Sequence, residues 1–179
     1  DADQLFYQEL SALLQPMTDA TYSLEEGMGH TPLFNDAGDN VARSMLSLLS
    51  ALREEFSIAP VNKNAFPDAG YYCLRHHGLK ILMDAGEIAP DYMPGHGHCD
   101  GLSFEVSVDR HPVFVNSGTG QYQGSLRGYF RSTRAHNTVV IEGEEQSECW
   151  GEHRVAKRIS QISGDCGADW IHGELVTAT

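Results

Sequence analysis

The stretch Gly95-His-Gly-His-Cys-Asp-Gly-Leu-Ser-Phe-Glu-Val-Ser-Val108 joins a histidine-rich turn to a strand pattern. In an extended backbone, residues i and i+2 project to the same face, so His96 and His98 are expected to point together. Gly97 between them has no side chain, which lets the backbone or a ligand approach closely. Two imidazoles on one face suit a metal site or a proton-transfer site, but either one needs further partners.

The composition indicates a soluble globular protein of one domain or parts of two. The chain has 179 residues, 41% of them hydrophobic, and its mean hydropathy is −0.33. No run approaches the roughly 18 apolar residues of a membrane span, so no span is predicted. The sequence opens without an initiator Met on an amphipathic pattern, and we therefore expect a processed or excised piece of a longer protein.

The charge of the chain is acidic overall but uneven. A formal net charge of −13 argues against general nucleic-acid binding. Between residues 109 and 141, however, Asp109 is the one acid among four basic residues, Arg110, Arg127, Arg131 and Arg134. Such a patch suits an anionic substrate, although arginines that pair with nearby acids would give the same pattern.

Short strand-like runs separated by Gly, Asp and Asn follow Pro60. They are Tyr71–Arg75, Leu79–Met83, Leu102–Val108, Pro112–Val115, Thr138–Ile141, Val155–Ile162 and Trp170–Val176. His76-His77-Gly78 reads as the hairpin turn between the first two runs. Because no helical pattern lies between the runs, they predict an antiparallel sandwich rather than a parallel sheet.

Two helical segments precede these strands. Residues 3–15 have a helical apolar period that Pro16 is expected to end, and residues 21–38 read as a long ordered loop. Asp39 or Asn40 could cap a second helix that continues to residue 56. Two helices cannot bury their apolar faces on each other alone, so we expect them to end a larger helical domain that docks on the sandwich.

The four cysteines, Cys73, Cys99, Cys149 and Cys166, contain no C-x-x-C pair. They therefore fit neither a zinc ribbon nor a disulfide-dense scaffold. One disulfide bridge and four reduced thiols are both compatible with the sequence, so cysteine usage does not indicate the compartment.

Three further motifs follow the histidine-rich turn. They are Val113-Phe-Val-Asn-Ser-Gly-Thr-Gly120, Tyr129-Phe-Arg-Ser-Thr-Arg-Ala-His-Asn-Thr-Val-Val140 and Gln146-Ser-Glu148. With Gly95–Phe104 they resemble, in order and spacing over roughly residues 66–160, the heparinase II/III-like polysaccharide lyases. The resemblance implies the last helices of an (α/α) toroid over residues 1–62. Residues 63–179 would form an antiparallel, supersandwich-like β-sandwich domain that is expected to continue beyond residue 179.

The resemblance also implies a structural zinc site. His98 and His136 stand at the positions of two ligands, and Asn116 stands at the third, where the family usually has Asp. A neutral amide oxygen is a weaker zinc donor than a carboxylate, so we expect reduced zinc occupancy. Asp100 or Glu105 could substitute, but Glu105 is at odd spacing from His98 and would face the other side of a regular strand.

The family reaction is β-elimination at a uronic acid, in which a base removes the C5 proton and an acid protonates the C4 leaving oxygen. By resemblance, His96 and Tyr122 are the catalytic candidates. Arg131, Arg134 and Asn137 are candidates for contacts with carboxylate or sulfate groups, because a guanidinium pairs bidentately with such anions. The remaining catalytic groups are expected on toroid helices upstream, so this chain alone would lack part of the apparatus.

Two other functional classes remain open on the sequence. A cupin-like metal-binding sandwich would use a His-x-His pair followed by an acid, and a non-catalytic glycan-binding module would need no catalytic residues. For the lyase, the expected partners are an anionic polysaccharide and the missing toroid helices of the same protein, with a homodimer as a further possibility. A periplasmic or secreted location is expected for such an enzyme.

Overall fold

The computed structural model describes residues 2–38, 41–159 and 161–176. Within these residues, five antiparallel strands form one sheet in the order of the chain. They are β1 (Ala65–Phe66), β2 (Tyr71–His76), β3 (Leu79–Asp84), β4 (Ser103–Val108) and β5 (His111–Phe114). Two separate hairpins follow, formed by β6 (Glu148–Trp150) with β7 (Arg154–Ala156) and by β8 (Gln161–Cys166) with β9 (Ile171–Val176).

A tight turn sets the register of β2 against β3. His77 and Gly78 between β2 and β3 have φ values of 45° and 82°, and His76 pairs with Leu79. Positive φ at both central residues defines a type I′ turn, whose twist matches that of the flanking strands. The hairpin turn predicted at His76-His77-Gly78 is therefore confirmed.

The sheet is covered on one face by the β8–β9 hairpin. Tyr72, Met83 and Ala85 form a buried cluster on that face, against which Ile162 and Ile171 pack. A second layer of antiparallel strands thus lies on the sheet. The predicted antiparallel β fold with N-terminal helices is confirmed.

The opposite face is covered by the loop of residues 26–38. Met28 and Phe34 from this loop pack with Cys73 and Leu82 of the sheet. Glu105 of β4, 0% exposed, accepts hydrogen bonds from the backbone N–H groups of Leu33 (2.9 Å) and Asn116 (3.0 Å) and from His30 Nε2 (2.8 Å). A buried carboxylate thus fixes the loop on the sheet, which gives Glu105 a role in the packing of the loop.

The first helix is longer than the sequence pattern predicts. α1 runs over Ala2–Glu25 with Pro16 in its interior, so the predicted end at residue 15 and the predicted loop from residue 21 are wrong. A proline removes one backbone hydrogen bond of a helix. Two side-chain hydrogen bonds join residues on either side of Pro16, from Gln15 to Asp19 (2.7 Å) and from Thr18 to the carbonyl of Leu14 (2.6 Å).

The second helix, α2, covers Met45–Phe56. Its N-cap is Ser44, whose hydroxyl accepts from the Ser47 N–H at 3.2 Å, whereas the predicted caps Asp39 and Asn40 lie outside the described residues. α2 packs against α1, yet none of its residues is buried by the described part of the chain. An apolar face that stays open agrees with the expectation that these helices need further cover.

Two strand predictions need correction. Thr138–Ile141 forms no strand, and the described residues there make only an isolated bridge from Ile141 to Glu144. The Thr138 hydroxyl instead donates to the carbonyl of Gly101 at 2.6 Å, which holds the segment in a loop conformation. The run predicted over Val155–Ile162 is divided between β7 and β8, since the chain leaves one hairpin and enters the next there.

A buried lysine joins α1 to the sheet. Lys80 of β3 is 2% exposed, and its Nζ donates at 2.7 Å to each of three carbonyls, those of Ser23, Leu24 and Glu26. The last carbonyls of a helix lack partners within the helix, and a cation suits the negative end of the helix dipole. Burial lowers the pKa of Lys80 to about 8.

In the described residues, no helix is long and apolar enough to cross a bilayer.

We predict that Lys80→Met removes the side-chain donor of the Leu24 and Glu26 carbonyls, while Arg75 still donates to that of Ser23, and lowers the free energy of unfolding by about 2–4 kcal/mol. Urea unfolding would measure the loss. Lys63→Met is the matched control, because Lys63 is 45% exposed in its ion pair with Asp19 and should cost at most about 1 kcal/mol. Equal losses in the two variants would contradict the anchoring role of Lys80.

Candidate active site and metal centre

The turn that carries the two histidines is not a strand. Pro94–His96 forms one turn of 3-10 helix, so the side chains of His96 and His98 separate, with exposed fractions of 63% and 0%. Gly97 is needed for space, since a Cβ there would lie 2.6 Å from the carbonyl oxygen of Ile88. The expected shared face is thus replaced by one exposed and one buried imidazole.

Both imidazoles nevertheless reach one carboxylate, that of Asp36 in the loop of residues 26–38. His96 Nδ1 lies 2.8 Å from Asp36 Oδ2, and His98 Nε2 lies 2.7 Å from Asp36 Oδ1. Because an ionised carboxylate only accepts hydrogen bonds, both of these ring nitrogens carry a proton. Asp36 was not predicted as a site residue, because its only signal in the sequence is its position in a loop rich in Gly, Asp and Asn.

Arg127 neutralises Asp36 from the other side. Its guanidinium is 1% exposed and binds both carboxylate oxygens, with Nη2 2.9 Å from Oδ2. Nε donates to the carbonyl of Glu152 at 2.9 Å, and Nη1 donates to the hydroxyl of Thr119 at 3.2 Å. Burial raises the pKa of Asp36, but the hydrogen bonds from His98, Arg127 and His96 outweigh it and hold that pKa well below its usual range.

A buried cluster with metal-ligating character lies behind His98. The His98 and His136 rings are 5.2 Å apart between centroids, and each has one buried nitrogen, Nδ1 and Nε2 respectively, with no hydrogen-bond partner in the described residues. Ligand atoms of His98, Asp100 and His136 all lie within 4.8 Å of one another. Two imidazoles and a carboxylate are a donor set that suits zinc.

Asn116 orients one of these rings. Its Oδ1 lies 2.7 Å from His136 Nδ1, while its amide nitrogen donates to Ser103 at 3.1 Å. The amide oxygen is therefore the acceptor, His136 Nδ1 carries the proton, and Nε2 holds the free lone pair that faces the cluster. Burial lowers the pKa of His136, which favours the neutral imidazole that metals bind.

The exposed side of this network is lined by three rings. His96 lies 6.3 Å from Tyr122 and 6.2 Å from His153 between ring centroids. The hydroxyl of Tyr122 donates to the backbone carbonyl of Asp36 at 3.1 Å, and the guanidinium carbon of Arg127 lies 5.7 Å from the centre of its ring. Proton-transfer groups thus meet on one accessible surface.

The family of the chain follows from a sequence profile described as "Heparinase II/III-like, C-terminal", which matches residues 59–175. The chain belongs to the heparinase II/III-like family. The match covers β1 to β8 and all but the last residue of β9, together with the histidine-rich turn and the buried cluster. No curated protein matches the chain in sequence.

Solved structures of this family share the fold. A heparinase III structure has 20% sequence identity and a TM-score of 0.55, and the alignment covers 70% of this chain and 25% of the heparinase III chain. A heparinase III described as the BT4657 gene product has 17% identity and a TM-score of 0.59, over 85% of this chain and 28% of its own. Heparan sulfate lyase HepC from Pedobacter heparinus has 16% identity and a TM-score of 0.53, over 81% and 26%.

This heparinase II/III-like chain therefore spans about a quarter of the length of those structures. The helices and the sheet match together in the longer alignments, which agrees with the predicted order of toroid helices followed by β-sandwich. The division at residues 62 and 63 stays a prediction, although it falls between the end of α2 and the start of β1.

The structure brings together five of the predicted site residues, His96 and Tyr122 on the surface and His98, Asn116 and His136 beneath it. The predicted substrate residues lie elsewhere. Arg131 was expected to face the substrate, but it is 1% exposed and donates through Nε to the carbonyl of Gly97 at 3.1 Å. Its burial therefore corrects that expectation.

Asn137 is half-buried and donates to the carbonyl of Phe104 at 3.0 Å, so its amide holds a loop on β4. Arg134 remains exposed beside Gly143. Among these three residues, Arg134 thus keeps an accessible guanidinium. Two residues that were not predicted as site residues lie beside the exposed rings. Arg127 contacts the Tyr122 ring and His153 contacts the His96 ring.

We predict that Asp36→Asn removes the counter-charge of the buried Arg127 and lowers the free energy of unfolding by about 3–5 kcal/mol. Chemical unfolding would measure it. Asp91→Asn is the matched control, because the Asp91 carboxylate is 94% exposed in its pair with Arg158 and should cost at most about 1 kcal/mol. A small effect at Asp36 would contradict its role as the central acceptor of the network.

Proposed function

We propose that this domain forms one wall of the active site of a polysaccharide lyase that cleaves a uronate-containing anionic glycan by β-elimination. The observation that carries the proposal is the exposed His96 ring, held by a buried carboxylate beside Tyr122, in a chain of the heparinase II/III-like family. The reaction needs a base for the C5 proton, an acid for the leaving oxygen and positive groups for the carboxylate charge.

His96 suits the proton-transfer role. Its Nδ1–H donates to Asp36, so the other ring nitrogen, Nε2, is the one left to exchange a proton with a substrate. The side chain is 63% exposed, while the carboxylate that fixes its orientation is 7% exposed. A fixed imidazole of this kind contributes about 10²–10⁴-fold to a reaction rate.

Tyr122 suits protonation of the leaving oxygen. Its hydroxyl lies at the edge of the same surface, where it contacts the backbone of Asp36, and it is 39% exposed. The ring stands nearly perpendicular to the His96 ring, at 81°. One substrate bond held between the two rings would therefore face a nitrogen on one side and a phenol on the other.

Positive groups for the substrate carboxylate are sparse on this wall. His153 is exposed next to His96, and its Nδ1 lies 3.4 Å from the carbonyl of Gly95. Its imidazolium form would balance a carboxylate charge, and Arg134 would bind an anionic group further along the surface. We propose that the toroid part of the whole protein forms the facing wall of the site and supplies the remaining catalytic groups. We also propose that the enzyme acts outside the cytoplasm.

We also propose that the buried cluster binds zinc through His98, Asp100 and His136, with Asn116 as the acceptor that orients His136. One buried ring nitrogen of His98 and one of His136 have no hydrogen-bond partner in the described residues, and a bound metal would give both of them a partner. When bound, the metal supplies a rigid cross-link between the histidine-rich turn and the loop that ends at His136. The cluster lies beneath the surface, so its role is structural.

The lyase proposal predicts that the complete protein releases an unsaturated product, seen by its ultraviolet absorbance, from at least one uronate polymer. The panel would hold heparan-, alginate- and bacterial exopolysaccharide-type substrates. His96→Ala should lower kcat by about 10²–10⁴-fold, because the proton-transfer group is removed from an unchanged fold.

His111→Ala is the control for that variant, because His111 is an exposed histidine on β5. Absence of unsaturated product across the whole panel would reject the lyase proposal. The non-catalytic glycan-binding module would then be favoured if the protein still bound one of these polymers.

The metal proposal predicts that purified protein contains zinc in elemental analysis and that His98→Ala loses it, while His111→Ala keeps it. Asn116→Asp should bind zinc more tightly, by about 10–100-fold, because a carboxylate at hydrogen-bond distance makes His136 a more basic ligand. Competition with a chromogenic chelator would measure the change. Equal zinc content in His98→Ala and the unaltered protein would contradict the proposed ligands.

A further inference from the structure

Two of the four cysteines lie together, Cys99 in the histidine-rich turn and Cys149 on β6. Cys99 Sγ is 3.5 Å from Cys149 Sγ and 3.1 Å from the carbonyl oxygen of Ser147. Cys99 is 1% exposed, and its backbone N–H donates to the carbonyl of Arg131 at 3.0 Å. Cys149, the central residue of β6, is only half-buried. One thiol of the pair is thus fixed inside the fold and the other is reachable from solvent.

The surroundings distinguish the two sulfur atoms. The hydrogen bond between the two thiols lowers the pKa of the Cys149 thiol, against an opposing effect of burial. Arg131 lowers that pKa further, and its two outer guanidinium nitrogens have no hydrogen-bond partner in the described residues. A buried guanidinium whose outer nitrogens are unpaired favours the thiolate form of a half-buried cysteine, which is the reactive form.

The remaining thiols lie in other surroundings. Cys73 contacts the backbone carbonyl of Ser23 and Cys166 contacts that of Asn64. Neither contact joins two sulfur atoms. The sequence is compatible with one disulfide bridge or with four reduced thiols. The distance between the sulfur atoms of Cys99 and Cys149 favours a bridge between these two residues.

We propose that Cys99 and Cys149 form a reversible disulfide that ties the turn bearing His98 and Asp100 to β6. With a small disulfide such as oxidised glutathione as the oxidant, the Cys149 thiolate attacks one of its sulfurs and releases one glutathione thiolate. That glutathione thiolate takes up the Cys99 proton, and the Cys99 sulfur attacks the Cys149 sulfur of the mixed disulfide and expels the second glutathione as its thiolate. Two protein thiols are oxidised, and one glutathione disulfide is reduced to two thiols.

The place of this bond in the fold gives it a consequence. Cys99 stands between two residues of the buried cluster, and Cys149 lies 50 positions later in the chain. A bond that closes a loop of this length restricts the unfolded chain, and it also fixes the backbone between His98 and Asp100. The bond would form whether or not the whole protein is a lyase.

The test treats the purified protein with oxidised glutathione, alkylates the remaining thiols and maps the tryptic peptides by mass spectrometry. The expected result is one cross-linked pair of peptides, containing Cys99 and Cys149, with Cys73 and Cys166 alkylated. Cys149→Ser should give no cross-link, and Cys166→Ser is the matched control that should keep it. Alkylation of all four thiols, or a cross-link through Cys73 or Cys166, would overturn the proposal.

A second measurement tests the restriction of the turn. The oxidised protein should unfold at a midpoint about 5–10 °C above that of the reduced protein, and addition of dithiothreitol should reverse the shift. Cys149→Ser should show the same midpoint with and without oxidant. An unchanged midpoint in protein that mass spectrometry shows to be cross-linked would overturn the inference that the bond constrains the turn.

Discussion

The carboxylate of Asp36 is the group on which the site depends. It is almost fully buried, and it accepts from an exposed histidine, from a buried histidine and from both outer nitrogens of a buried arginine. A buried carboxylate is stable only when its charge is paired and its oxygens are hydrogen-bonded. Because its donors come from the turn at residues 94–98 and from α3 (Arg127–Phe130), one side chain brings together segments that are distant in sequence.

The same principle organises the layer above the sheet. The loop of residues 26–38 has few apolar side chains, so hydrophobic burial alone cannot fix its course. Glu105 and Lys80, both buried on neighbouring strands, bind its backbone N–H and carbonyl groups instead. Directional polar bonds specify a conformation more closely than apolar contacts do, provided that every buried group has its partner. The loop therefore presents Asp36 at a defined position.

Local patterns in the sequence predicted the central sheet well. The apolar runs Leu79–Met83 and Leu102–Val108 indicate strands, and a glycine after two histidines indicates a tight turn. These signals are contained within a few neighbouring residues. The fully buried residues of β4 are nevertheless its polar ones, Ser103, Glu105 and Ser107. The helix through Pro16 and the missing strand at Thr138–Ile141 were predicted wrongly. Local patterns do not show that a helix continues past a proline or that the Thr138 hydroxyl binds the Gly101 carbonyl.

The site was predictable only where its residues lie in one motif. His96 and His98 stand out as a pair, and the resemblance to a family added Asn116, Tyr122 and His136. Asp36 lies 60 positions before His96, and no short-range pattern connects them. The charge of Arg127 and Arg131 suggested a surface patch, but both side chains are buried. Their burial could not be predicted, because it depends on partners that only the folded chain brings near.

The anchor at the end of α1 has a mechanical meaning. Lys80 clamps the last carbonyls of the helix onto the central strand, and the chain that leaves this clamp carries Asp36. Between this clamp and Asp36 the chain is bound again, at Leu33 by Glu105 and at Asn35 by Asp100. The end of α1 and the carboxylate of Asp36 are therefore held against the same sheet by a short series of polar bonds.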